Sequence, residues 1–533
     1  MMSRFVALAR PVASGRTSWL VGMLLLLPPV FFLHPLAVDE TRYLAAAWNM
    51  HVTGQWLVPR LDGLPYSEKA PLLFWLINLA WSLTGVHAWT ARLLELLIAV
   101  GTLPLLASLG QRLGVDRAGV QAAAWLWLGC AAVALYAGAV MFDMLLTLCT
   151  LAAWRSTLAL GGRHPLAGAL LLATALGAGI LVKGPVALLV GGMPALLAPL
   201  WMTPARTRMP VFYLQLLGAL VLAVAIALAW AVPAARAGGP AYADAIFLRQ
   251  TMGRVVHSFA HARPWWWYLP VLPAMLLPWP LAIARGTRVV EHRATVARFA
   301  AVASLPSFVV FSLISGKQPH YLLPILPPLA LYSGDRLGTG QWRVAGWRLG
   351  MVLVAIGAAT AIGMGWLAPG SRLETGLLGA LIASLGLLYM WRHDTALPAS
   401  LAAMGVLASL TLCKLAFAVS LAPRYDMRAA AARIASARHA GIPLLYAGTQ
   451  YGLFTFAGRL RQPIPQATGD AAIAAWARAH PAGWVISGDA NYRYRATPLY
   501  RQAYLGRELD IWLAADIARS TPAATAPRGA GAG

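Results

Sequence analysis

Apolar segments of membrane-spanning length recur along almost the whole chain, at residues 19–38, 91–110, 119–138, 141–160, 166–182, 185–202, 211–233, 266–285, 298–315, 321–335, 348–368, 375–391 and 398–422. About 20 apolar residues in a helix cover the ~30 Å hydrocarbon core of a bilayer, so the chain is expected to cross it about thirteen times. Lipid satisfies no backbone hydrogen bond, and spans of this length must therefore be helical. The expected fold class is an all-α polytopic membrane protein. Composition excludes a water-soluble globule, since 59% of the residues are hydrophobic and only 11% charged, against about 25% charged in soluble domains.

Lys and Arg number 42 against 18 Asp and Glu, a formal charge of +24. Such an excess suits nucleic acid or anionic lipid, and the apolar segments assign it to lipid; no nucleic-acid partner is expected. Cys130, Cys149 and Cys413 each sit in an apolar segment without ligand spacing, which indicates neither a disulfide framework nor a zinc site. Arg4, Arg10 and Arg16 precede the first apolar run in the manner of a signal peptide. The run is too long for a signal core and lacks a small-residue cleavage site, so it reads as an uncleaved first span.

Basic residues near span ends resist translocation, and this sets the orientation. Alternate loops hold Arg112 and Arg117, Arg163, Arg206 and Arg208, Arg285 with Arg288 and Arg293, Arg336 with Arg343 and Arg348, and Arg392. These loops and the N-terminus are expected in the cytoplasm. The opposite set, expected on the outer side, comprises residues 39–90, the corners at 141–143 and at Lys183, the loop 234–265, residues 316–320 and everything after 423. Residues 71–85 are apolar but short, and read as an interfacial helix rather than a span. From residue 424 helix-like pieces (427–440, 471–479) alternate with strand-like pieces (443–447, 483–487), which predicts a small α/β domain outside the membrane over 424–519. The transmembrane domain is thus expected over 1–423, and the Ala/Gly/Pro-rich residues 520–533 read as a disordered tail.

Ionisable residues collect on the expected outer side. Asp39-Glu40-Thr41-Arg42-Tyr43 marks the exit of the first span, and Tyr66-Ser67-Glu68-Lys69-Ala70-Pro71 comes later in the same loop. A carboxylate here can take a proton from an acceptor hydroxyl, while Arg42 or Lys69 can hold a phosphate leaving group. A plainer reading has Asp39 cap the following helix, Glu40 favour its N-terminus and Pro71 open the next. Asp143 and Lys183 stand at the ends of apolar runs, where an ionisable group needs a partner or a polar cavity; for Lys183, snorkelling to the headgroups is the alternative. Trp265 to Tyr268 read as an interfacial aromatic belt. Nearby Arg254 can contact phosphate, and His261 with Glu68 can hold a divalent metal, the one cofactor the sequence suggests. Lys317, His320 and Tyr321 sit at the outer start of a proline-interrupted span, where a broken helix can line a cavity.

These motifs resemble the polytopic C-type glycosyltransferases, specifically the aminoarabinose lipid A transferases (ArnT-like) and their protein O-mannosyltransferase relatives. The resemblance is carried by Asp39 to Tyr43, Pro59-Arg60, Tyr66-x-Glu68-Lys69-x-Pro71, Asp143, Lys183-Gly184, Gly253-Arg254, His261-x-x-Pro264 and Lys317-x-Pro319-His320-Tyr321, in order over residues 1–335. It implies the GT-C fold and inverting transfer of a sugar from undecaprenyl phosphate, with Asp39 as the catalytic carboxylate beside Glu40. Donor contacts are then expected from Arg42, Tyr43, Tyr66, Lys69, Asp143, Lys183, Arg254, Lys317, His320 and Tyr321. The implied partners are a polyprenyl-phosphate-linked sugar, membrane lipids and an acceptor that is lipid A, a glycan or a protein. One departure is Gln250-Thr251, where aminoarabinose transferases often carry Glu-His.

Two other classes compete. A transporter or flippase of lipid-linked sugars would use Asp143 and Lys183 within the membrane, but such proteins commonly show internal repeats, and none is evident between the halves. A membrane anchor for a binding module over 424–519 needs far fewer spans than these.

Overall fold

A computed structural model describes residues 15–162, 164–202, 209–247, 262–288, 294–391 and 396–519. The expected tail at 520–533, the loop residues Gln250, Thr251, Arg254 and His261, and the N-terminal arginines Arg4 and Arg10 lie outside the described residues.

The apolar segments are helical over most of their length, and among the described residues seven helices are long and apolar enough to cross a bilayer. They are Ala88–Arg112, Pro165–Lys183, Met209–Gly238, Ala294–Leu313, Gly346–Leu367, Pro369–Trp391 and Ala399–Ser420. Others are shortened or broken by their own sequence: Leu27-Pro28 splits the first segment, and Gly129-Cys130 separates Arg117–Leu128 from Ala131–Tyr136. Prolines also leave residues 265–282 as three short helical pieces. The chain is a multi-pass membrane protein. Leu214, Leu217, Val221 and Leu228 of Met209–Gly238 stay exposed on the outside of the bundle, which only lipid tolerates at this density. Where helices do touch, small residues let them approach: a Cβ on Gly350 would stand 2.4 Å from the Gly386 carbonyl, and one on Gly379 2.5 Å from that of Gly357.

Five helices frame one end of the bundle: α1 (Asp39–Thr53), α2 (Leu72–Thr84), α3 (Ala88–Arg112), α4 (Phe142–Leu160) and α5 (Pro165–Lys183). At 1.5 Å per residue the 13-residue α2 is about 20 Å long, short of the bilayer core, as expected for a non-spanning segment. Between α1 and α2 a two-stranded hairpin forms, β1 (Arg60–Leu61) with β2 (Leu64–Pro65). Its turn holds Asp62 and Gly63 at positive φ.

Three of the arginine-bearing loops, or the residues flanking them, meet in a small antiparallel sheet of which hydropathy gives no sign. It joins β3 (Ile283–Arg285), β4 (Trp342–Ala345) and β5 (Ala396–Leu397), and Arg348 donates to the Ile283 carbonyl at 3.3 Å.

At the opposite end of the bundle, residues 428–519 form a three-layer α/β unit. Strands β6 (Leu444–Ala447), β7 (Gln466–Ala467), β8 (Trp484–Ser487), β9 (Tyr500–Tyr504) and β10 (Arg507–Leu513) lie in the order β7-β6-β8-β10-β9. β6 pairs in parallel with both neighbours, whereas β10 is antiparallel to β8 and β9. Alternation along β6 splits the core: Leu444 and Tyr446 face the helix Arg428–His439, while Leu445 and Ala447 face Asp470–Ala479 and Ala514–Arg519.

This unit grips the loop that carries the expected site. Asp62 accepts from Gln450 Nε2 and the Gly452 N–H, both at 2.9 Å, and the Trp48 indole of α1 donates to the Leu460 carbonyl at 2.8 Å. The rings of Trp81 and Phe456 stack at 5.5 Å. Burial pushes the Asp62 carboxyl above the usual carboxylate range, against the hydrogen bonds from Gly452, Gln466, Thr455 and Gln450.

Candidate active site

The site is built on the first turn of α1. Residues i, i+3 and i+4 of a helix share a face, and here those positions are Asp39, Arg42 and Tyr43. Arg42 pairs with the Asp39 carboxylate, and the Tyr43 hydroxyl lies 3.5 Å from it. Asp39 is therefore not a helix cap: Val38 takes the cap position, and the Asp39 carboxylate, 42% exposed, is oriented by side chains instead. Arg42 also reaches Glu68 at 3.4 Å, and the Tyr66 hydroxyl lies 3.5 Å from the same Glu68 oxygen. Lys69 brings its ammonium over the Tyr43 and Phe142 rings, 5.7 Å from each centroid.

Glu40 points elsewhere. One residue along a helix is a rotation of about 100°, which turns Glu40 away from Asp39 and into the bundle. Its side chain is buried, pairs with Arg92 of α3, and accepts from the backbone N–H groups of Leu36 at 2.9 Å and Val140 at 3.0 Å. Arg92 also donates to the His34 carbonyl at 2.9 Å. Glu40 thereby ties the start of α1 to α3 and to the chain entering α4.

A second cluster lies beyond Phe142, whose ring meets those of Tyr43 and Phe74 edge-on at 5.0 and 5.4 Å. The next residue, Asp143, is 2% exposed and pairs with Lys183 from the end of α5. Gly184, at φ +70°, ends that helix and lets Pro185 start the next. His320 Nε2 stands 3.7 Å from the other Asp143 oxygen, and the Lys183 ammonium sits 4.3 Å above the Tyr321 ring. Lys183 thus turns inward to a carboxylate and an aromatic face, and the snorkelling alternative does not hold. Tyr136 packs against His320 at 5.8 Å.

Lys317 occupies a different place from the other expected donor contacts. Its buried ammonium donates to the carbonyls of Arg263, at 3.1 Å, and Ile314, and so fastens the bridge between Ala262 and Gly316. Tyr268 likewise leaves the expected aromatic belt. It is fully buried, its hydroxyl donating to the Gln318 carbonyl at 3.0 Å, whereas Trp265 and Trp266 remain exposed. Among the described residues no three His, Cys, Asp or Glu side chains converge as a metal site. Glu68, expected as a ligand, is held by Arg42 and Tyr66, and its expected partner His261 lies outside the described residues.

The structure therefore brings Asp39, Arg42, Tyr43, Tyr66, Glu68 and Lys69 together, joins them through Phe142 to Asp143, Lys183, His320 and Tyr321, and sets Glu40 and Lys317 aside as fasteners. Sequence reasoning missed Phe142, Tyr136 and Arg92. Only Arg92 carried a signal, as an ionisable residue inside an apolar run three residues before Glu95, which is also fully buried.

Residues 68–230 match the family model described as dolichyl-phosphate-mannose-protein mannosyltransferase. Over 354 residues the chain is 32% identical to undecaprenyl phosphate-alpha-4-amino-4-deoxy-L-arabinose arabinosyl transferase 1 of Pseudomonas fluorescens, covering 63% of this chain and 64% of that protein. The corresponding transferase of Pseudomonas aeruginosa is 32% identical over 337 residues, covering 61% and 60%. The match thus spans less than two thirds of the length of these relatives. In fold, the crystal structure of ArnT from Cupriavidus metallidurans in the apo state superposes with a TM-score of 0.73 at 18% identity, over 95% of this chain and 99% of that one. The same protein bound to undecaprenyl phosphate gives 0.73 at 18%, over 96% and 98%. The chain is thus similar in sequence to these arabinosyl transferases over about three fifths of its length, and it shares the fold of ArnT over nearly all of it.

Proposed function

We propose that this protein is an inverting glycosyltransferase that moves 4-amino-4-deoxy-L-arabinose from undecaprenyl phosphate to lipid A at the periplasmic face of a bacterial inner membrane. The observation that carries the reading is the meeting of Asp39, oriented by Arg42 and Tyr43, with Lys69 and the Asp143–Lys183 pair at one end of the bundle. The likeness to transferases whose names specify that donor supports it.

In this mechanism an acceptor hydroxyl attacks the anomeric carbon from the side opposite the phosphate. The new C–O bond forms as the bond to the phosphate oxygen breaks, which inverts the centre. Asp39 takes the hydroxyl proton, and undecaprenyl phosphate leaves with the bonding electron pair. The leaving group is already a stable anion, so charge stabilisation counts for more than protonation. Lys69, with Lys183 behind it, supplies positive charge; Arg42 and Tyr43 hold the Asp39 carboxylate in line; Tyr66, His320 and Tyr321 line the donor's path. Glu40 acts as a positioning residue through Arg92, and Lys317 by holding its loop. Arg254 joins the donor-binding set on the resemblance, and Glu68 with His261 stays the pair to test for a divalent metal.

The same reading divides the chain into a membrane domain through residue 423, with interfacial helices in 39–90, and a periplasmic domain over 424–519. Mass spectrometry of envelope lipids from cells with and without the protein tests it: an added aminopentose on lipid A is expected only when the protein is present. The mannosyltransferase family match favours a second reading, transfer of a hexose to protein or polysaccharide, and the same comparison would reveal it.

A further inference from the structure

We propose that a cleft at the join between the first apolar segment, the start of α3 and the C-terminal α/β unit binds the phosphate headgroup of an anionic glycerophospholipid. The cleft is distinct from the catalytic cluster, encloses about 270 Å³, and is lined by residues from all three parts of the chain. Its walls divide by chemistry. Phe31, 56% exposed, and Trp89 form the membrane-facing side, their rings 5.9 Å apart, with His87 stacked on Trp89 at 5.7 Å. Tryptophan at the end of a span marks the headgroup level, so Phe31 lies where acyl chains begin.

The other side carries the guanidiniums of Arg428 and Arg459 beside the His34 imidazole, and no Asp or Glu lines the cleft. Arg428 donates through Nε and Nη2 to the carboxylate of Asp426, which is not part of the lining, and this pair does not fill every guanidinium donor. Arg459 donates to the Val86 carbonyl at 2.7 Å and lies 4.2 Å from the Phe456 ring centroid, contacts with a neutral oxygen and a ring that fix its fork and leave its charge intact. Planar guanidiniums above an apolar floor match a phosphodiester above an acyl chain, and a headgroup fits this volume where a whole ligand would not. A lipid seated here contacts both the bundle and the α/β unit, so it would brace that unit over α1.

Native mass spectrometry of the purified full-length protein tests this, with dioleoyl phosphatidylglycerol or phosphatidylcholine added at equal concentration. Phosphatidylglycerol adducts are expected to survive preferentially, with affinity falling about fivefold for each of Arg428→Gln and Arg459→Gln. A photoreactive phosphatidylglycerol is expected to label peptides containing Phe31 or Ala457. Arg459→Lys, which keeps the charge, should recover part of the loss, and Arg428→Gln alters an exposed side chain, so misfolding does not mimic the result. Equal retention of the two lipids, unchanged adducts in both variants, or displacement of the photoreactive lipid by undecaprenyl phosphate would overturn the proposal.

Discussion

Breaking the Asp143–Lys183 pair should cost far more than removing it. Both side chains are largely withdrawn from solvent, at 3% and 12% exposure, and each is the other's ionic partner. Truncating one member of such a pair leaves a buried charge uncompensated, at about 3–5 kcal/mol, whereas replacing both with apolar groups of similar volume is often neutral. Asp143→Leu is expected at the upper end of that range, because Lys183 loses its carboxylate and only the Tyr321 face remains. Lys183→Met is expected at the lower end, since the His320 ring, 3.7 Å away, still stands beside the Asp143 carboxylate. The double variant should recover most of the stability, so the coupling in a double-mutant cycle should approach the sum of the two single losses, about 6–8 kcal/mol. Equilibrium unfolding of the purified proteins in mixed micelles measures this. The double variant should nonetheless transfer sugar far more slowly, because of the two cations proposed beside the donor phosphate only Lys69 remains. Single variants as stable as the parent would show that the pair does not form; a stable and fully active double variant would remove it from the site.

Asp62→Ala should loosen the C-terminal unit, because it orphans the buried Gln450 amide and the Gly452 N–H at about 1–3 kcal/mol each; faster tryptic cleavage near the exposed Arg424 and Arg428 reports it. The pH dependence has a definite sign: the docked state raises the Asp62 pKa, so docking is strongest when the carboxyl is protonated and weakens as pH climbs from the ordinary carboxylate range through the raised value. Asp62→Asn should flatten that trend in the same cleavage assay. Gly379→Ala should cost about 1–3 kcal/mol in thermal unfolding, since its Cβ would press within 2.5 Å of the Gly357 carbonyl on the facing helix.

The membrane class and most helices were readable because hydropathy at this length has few other meanings. The Asp39, Arg42 and Tyr43 grouping was readable because one helical turn places them together. Pairing was not: Asp143 and Lys183 were each conspicuous as ionisable residues at the ends of apolar runs, but 40 residues separate them. The orientation of Glu40 was equally illegible from its adjacency to Asp39, because neighbours on a helix face different ways and its partner Arg92 comes from another helix. Strands of two to four residues, as in β3 to β5, are too short to show alternation. β9 and β10 went unrecognised because their tight turn at Leu505-Gly506 carries only one glycine between polar residues.

The central claim is that Asp39 accepts the acceptor's proton during transfer from a polyprenyl-phosphate sugar. Purified protein in liposomes, given undecaprenyl-phosphate aminoarabinose and lipid A, should yield aminoarabinosyl lipid A by mass spectrometry. Asp39→Asn, which keeps size and a hydrogen-bonding oxygen but cannot take the proton, should bind the donor and form no product; product at the parent's rate would contradict the account.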